Sequence, residues 1–247
     1  MPRRQVRSIT EVEWRAATDC DPLLKVIMPT ATDRKLRLFA CACCRRIWEL
    51  LVDPRCRRAV ELSEQVADGV AHARQLRTAS QAAKRAWLKI RTVWDRSSTL
   101  FQGDAAVHAA TTPVFYGSIA AHELAAARPR EFVARSVAYA VMAAENMVDC
   151  PGDAGVRERS SQCALLRDLF GNPFRPVAFS PAWRTDTVVA LAAQMYESRG
   201  FGAMPILADA LQDAGCDNDD ILSHCRDASV SHVRGCWVID LVLVGKQ

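Results

Sequence analysis

Apolar residues recur at three- and four-residue steps along most of this 247-residue chain, and that spacing confines it to helices before composition is considered. The clearest stretch is DRKLRLFACACCRRIWELLV, where Leu36, Phe39, Ala40, Cys43, Ile47, Leu50 and Leu51 form one stripe. Punctuation agrees. Thr10 with Glu13 three positions on is a capping-box pattern. Asp21-Pro22 and Asp53-Pro54 each set a good N-cap before a proline suited to the first helical position. Thr32 or Asp33, Thr185 or Asp186, and Asn218 or Asp219 open further helices, while Gly69, Gly171, Gly200 and Gly215 are natural stops. Abundant Ala and Leu, with aromatics at only 7%, favour helix over strand.

The expected fold is therefore all-α, an irregular multi-helix array of roughly eight to eleven helices. One long helix is predicted over residues 33–52. A break is expected around Gly103 and Pro113, followed by helices near 114–127 and 129–148. Cys150-Pro-Gly-Asp-Ala-Gly is the strongest loop signal and sets a soft boundary. The chain then reads as a basic arm over 1–9, a helical region over 10–150 and a second over 151–247, or as one continuous domain over 10–247. The β-branched end, residues 236–244, fits a short strand or a docking helix equally well.

Charge is unevenly spread within the net +4. The first hundred residues carry 20 Lys+Arg against 11 Asp+Glu, whereas residues 181–247 carry 5 against 9. Opposite signs on two halves can steer an acidic partner or simply complement each other. The opening MPRRQVRSITEVEW lacks the apolar run of a secretory signal, and later apolar runs are too short for a bilayer. These features point to a cytoplasmic protein with no membrane contact, whose ten Cys stay reduced and mostly pack.

Two cysteine-bearing stretches invite chemistry. In the tail, Cys216, His224, Cys225, His232 and Cys236 offer the ligand types that zinc prefers. Adjacent His224 and Cys225 diverge by about 100° on a helix, which leaves Cys216, His224, His232 and Cys236 as the candidate metal set. The spacing matches no known finger or ribbon, so buried packing is the expected role and zinc the alternative. Cys41-Ala-Cys43-Cys44 lies beside Arg45 and Arg46, which would favour a thiolate. It sits mid-helix inside an apolar stripe, however, and packing is expected there too. No cofactor is predicted outright.

Catalytic templates are missing: there is no HExxH, no G-x-S-x-G elbow, no Walker loop and no G-x-G-x-x-G. Arg34, Lys35, Arg37, Arg45, Arg46, Arg57 and Arg58 would make a phosphate-binding surface if exposed on one face. A pI near 8.6 is modest for a dedicated nucleic-acid reader.

The blocks DRKLRLFACACCRRIW, CALLRDLFGNPFRPV, PILADALQDAGCDNDDILSHCR and HVRGCWVIDLVLVGK resemble a family of bacterial proteins of unassigned function, found in many related copies in some large genomes. They span about half the chain, and the resemblance implies a cytoplasmic helical protein without assigning a catalytic residue. The expected function is a non-catalytic helical interaction or regulatory module with a protein partner. Two alternatives stay open: a nucleic-acid binder using the basic N-terminal half, and a metal- or thiol-dependent protein using the tail.

Overall fold

The computed structural model describes residues 9–97, 105–125, 129–146 and 153–243. Among them, every extended regular element is a helix and no strand forms. In chain order these are α1 (Glu11–Ala16), α2 (Cys20–Ile27), α3 (Asp33–Arg46), α4 (Pro54–Ala67), α5 (Ala73–Ser97) and α6 (Ala105–Leu124). After them come α7 (Pro129–Glu145), α8 (Ala154–Phe170), α9 (Asp186–Ser198), α10 (Met204–Asp213), α11 (Asp219–Arg226) and α12 (Trp237–Val242). The all-α expectation holds. No helix among the described residues is long and apolar enough to cross a membrane.

Helix α3 is the axis of the fold, packed against α4, α6, α7 and α8. The apolar stripe predicted one buried face, yet Leu36, Leu38, Phe39, Cys41, Cys43 and Cys44 are buried all round. A helical stretch that is apolar on every side, as residues 38–44 are, belongs inside a core. It is also shorter than predicted. Ile47 leaves helical geometry at φ −105, ψ 26, and a 3-10 turn over Trp48–Leu50 follows. There the Trp48 ring sits 4.1 Å from the Arg45 guanidinium and 5.4 Å from that of Arg57, while Leu51 turns into the core. Tertiary packing outweighs local periodicity at this point.

Most caps form as the sequence indicates: the Thr10–Glu13 box, Thr32, Asp53, Thr185 and Asn218 each cap a helix. Three positions differ. Asp19, not Asp21, caps α2 by accepting from the Asp21 amide, so Pro22 falls inside the first turn, where a missing N–H is harmless. Pro113 lies inside α6 rather than ending a segment. There Thr112 bonds back to the His108 carbonyl and takes a hydrogen bond from the Trp94 indole, and Phe115 stacks on Trp94 at 4.7 Å. Contact with α5 carries the helix through the proline. Lastly, Arg199 rather than Gly200 takes the left-handed turn that ends α9, at φ 58. The tail segment resolves to a helix, α12, and the predicted loop boundary at 150/151 lies outside the described residues.

Two apolar clusters result. The first joins α1 through α8, from Trp14 to Leu169; the second joins α9 through α12, from Val188 to Val242. A polar seam connects them. Arg34 clamps Asp240 at 2.6 and 3.0 Å and donates to the Tyr196 hydroxyl at 2.9 Å. Lys35 Nζ meets the carbonyls of Leu169 and Gly235 at 2.8 and 2.7 Å and Asp240 at 2.7 Å. Tyr196 donates to Asp68, and Arg199 to Glu64. Buried pairs of this kind add little net stability, but they fix one placement of the two units.

Candidate metal centre

The seam contains one constellation of different chemistry. Asp168 sits two residues before the end of α8 and is fully buried. His224 comes from the last turn of α11, His232 from the loop that follows, and Cys236 from the N-cap position of α12. One donor atom from each of the four lies within 4.8 Å of all the others.

A tight turn makes this convergence possible. Gly235 has φ 89, and a Cβ there would come 2.7 Å from Leu38 Cδ1 and 3.2 Å from Leu169 Cδ2. Only glycine both adopts that backbone and lets the chain lie against α3 and α8. The turn brings Cys236 inward directly after His232 has reached Asp168.

His232 Nδ1 lies 2.7 Å from Asp168 Oδ1, and His224 Nε2 lies 3.2 Å from the same oxygen. Cys236 Sγ is 3.3 Å from His224 Nε2 and 3.9 Å from His232 Nδ1. In a tetrahedral zinc site with bonds of roughly 2.0–2.3 Å, ligand atoms stand about 3.3–3.8 Å apart. Three of these separations are already at or near that span. The fourth, 2.7 Å, is a hydrogen-bond length and would open by about 0.6 Å. The second Asp168 oxygen accepts from the Val233 amide at 2.9 Å, which orients Oδ1 toward the cluster, as outer-shell bonds orient metal carboxylates.

The carboxylate and the thiol of this cluster shift in opposite directions, and the thiol becomes a ligand only when a cation draws off its proton. Burial alone pushes the Asp168 carboxyl up, but hydrogen bonds from His224 and His232 outweigh it and hold the group below its ordinary value. Burial and the nearby Asp168 charge push the Cys236 thiol well up. Asp168 as carboxylate, Cys236 as thiolate and two neutral imidazoles would together neutralise a dication, leaving no net charge in the interior.

Cys216 belongs elsewhere: it is buried in the second apolar cluster and is not among the four donors. Asp168 takes the fourth place. Cys225, next to His224, also packs into that cluster. A second acidic grouping, Asp19, Cys20 and Asp21, is three consecutive residues at the start of α2, where Asp19 is occupied as the cap and Cys20 donates to Gln162 at 3.6 Å. On α3, Cys41 lies 3.8 Å from the Val60 carbonyl and Cys44 3.9 Å from the Ser136 hydroxyl, and burial raises Cys41, Cys43 and Cys44 alike.

The basic residues of the N-terminal half are largely drawn into internal pairs. Arg34 and Lys35 face Asp240, Arg45 faces Glu64, Arg46 faces Glu158 and Arg58 faces Glu61. Arg37 is buried, and Arg57 reaches the Trp48 carbonyl and, at 3.9 Å, Glu49.

Two cavities flank the cluster. A groove of about 690 Å³ includes Trp14, Lys35, Arg167, Asn172 and Trp237 in its lining, and of the four donors only His224 borders it. A smaller cavity of about 170 Å³ borders His232. No family model, no curated protein and no solved structure matches this chain.

Proposed function

We propose that this protein is a zinc-class metal-binding helical module, in which Asp168, His224, His232 and Cys236 hold one divalent ion that pins the C-terminal helices to the larger N-terminal body. The observation that carries the reading is the convergence of four donors, one oxygen, two nitrogens and one sulfur, from three chain segments onto a buried point. Mixed N, S and O ligation suits zinc rather than calcium or magnesium, which take oxygen. Four protein ligands leave no open coordination position, and closed sites of this kind serve structure. The module is therefore read as non-catalytic, and the ion takes the place of apolar burial at a junction made mostly of polar side chains.

Elemental analysis of the protein purified without chelator tests this. Zinc equimolar with chain is expected, lost in Cys236→Ala and kept in Cys216→Ala. Chelation should lower the melting temperature of the parent chain. Metal-free protein whose melting temperature ignores both added zinc and chelator would overturn the proposal and leave the four residues as a hydrogen-bonded packing cluster.

A further inference from the structure

The smaller cavity brings three guanidiniums and one carboxylate to a lining that is otherwise mostly apolar. Its walls come from α3, α4, the turn after α9 and the loop before α12, and they bring together Arg45, Arg199, Arg234 and Glu64. Arg45 grips Glu64 through two bonds, Nε to Oε1 at 3.0 Å and Nη2 to Oε2 at 2.8 Å. Arg199 donates to that same Oε2. Arg234 stacks over Tyr196 at 4.7 Å, donates to the Tyr196 carbonyl at 3.1 Å and stands 3.4 Å from Asp68. Around this part of the seam, Arg34, Lys35, Arg45, Arg199 and Arg234 face Glu64, Asp68 and Asp240. Positive charge is left in excess by two, and Arg45, Arg199 and Arg234 carry it to the cavity.

Arg199 reinforces the point. It occupies the left-handed region at φ 58, the only non-glycine residue with positive φ in the described chain, although Gly200 follows it and would fit that geometry freely. The turn that ends α9 thus delivers a third guanidinium to a site that already holds two. Burial pushes Arg199 down, and Arg45 and Arg234 add to this against the pull of Glu64, so these like charges crowd one another. The cavity, about 170 Å³, is well above the minimum that holds a single water and admits a tetrahedral oxyanion. Planar guanidinium forks match such an anion in shape as well as charge.

We infer that the cavity bounded by Arg45, Arg199 and Arg234 is a binding site for a phosphoryl-type oxyanion, either free or as a terminal group on a larger molecule. Glu64 is its internal competitor, holding two of the guanidiniums in place while the site is empty of ligand.

The test is titration of the full chain with inorganic phosphate and with O-phosphoserine, read by calorimetry and thermal shift against chloride at matched ionic strength. Saturable binding is expected. Arg199→Met should weaken it at least about tenfold, the loss of one charge-assisted bond. Glu64→Gln should tighten it, because removing the competitor raises the charge excess. A salt-bridge strut with no ligand predicts the reverse, lower stability in Glu64→Gln with no gain in binding, and that result would overturn the inference. So would phosphate acting no better than chloride, or binding indifferent to both substitutions. Tighter binding of phosphoserine would identify a monoester as the ligand; tighter binding of phosphate would identify the free anion. Zinc content measured on the same samples keeps this result separate from the metal reading.

Discussion

Cys43 on α3 and Cys236 before α12 are both fully buried thiols, and each has a buried carboxylate of α8 as neighbour. For Cys43 it is Glu158; for Cys236 it is Asp168. The two places differ in what else meets the carboxylate. Glu158 takes Arg46 at 2.9 Å and Gln162 at 3.3 Å, groups that cannot ligate a cation through a free nitrogen lone pair or are held as amide donors. Asp168 takes two imidazoles, whose nitrogens donate protons or bind metal according to what is offered. A thiol and a carboxylate at one end of α8 thus make packing, and at the other end the ligand set of the proposed metal site. Histidine decides between them, not cysteine.

The comparison can be pressed hardest at the α3 end. Phe39 is fully buried at the centre of the first cluster, so Phe39→Ala should lower unfolding free energy by about 3–5 kcal/mol. Zinc content should not change. A loss under about 1 kcal/mol in urea unfolding would show that α3 is not the central packing element of the fold.

Gly235 ties the two regions together, because its missing Cβ lets the tail lie on Leu38 of α3 while it delivers Cys236. Gly235→Ala combines backbone strain with a clash and should cost about 2–4 kcal/mol. It should also weaken zinc binding about 10–100-fold, as disturbed outer-shell support does. Undiminished zinc affinity would detach the turn from the site.

Cys43→Ser is the gentler probe of the packing side. It places a hydroxyl at a fully buried position and should cost about 1–3 kcal/mol, with zinc content and thiol reactivity of the native protein unaltered. Loss of bound metal in this variant would move the metal centre to α3 and reverse the contrast.

Much of the fold was legible because caps and periodicity act locally. Thr10, Thr32, Asp53, Thr185 and Asn218 cap where their side chains alone suggest. The end of α3 and the run through Pro113 were not legible, since Trp48–Arg45 stacking and Trp94–Phe115 stacking are contacts between turns or helices that spacing cannot register. At the site, His224, His232 and Cys236 stand out in a short tail, whereas Asp168 is 56 residues or more away in an ordinary helix. A signal did exist. Asp168 lies among Leu165, Leu166 and Leu169, all buried, near a helix C-terminus, where a carboxylate opposes the helix dipole. An acid placed against both tendencies needs a partner. Cys216 had the right chemistry for a ligand, but the turn at Gly215 sends it into the second apolar cluster instead.

The smallest effect separates the two ends of α8 by their response to pH. Burial raises Glu158 above its usual value, and Arg46 and Gln162 only partly oppose this; Asp168 shifts the other way. A carboxyl with a raised folded pKa is more readily ionised in the unfolded chain, at roughly pH 4.3. Its contribution to stability is therefore fully present below that value and is lost as pH rises through the folded pKa. Glu158→Gln removes the titration while keeping the size of the side chain. Its stability relative to the parent chain should accordingly improve from about pH 4 upward, even though the variant gives up the ionic Arg46 contact there. Urea unfolding of both proteins at several values between acid and neutral pH measures that difference directly. A difference independent of pH would mean that Arg46 balances burial at Glu158, and one that grows in favour of the parent as pH rises would mean that Arg46 outweighs it, making the two carboxylates of α8 alike.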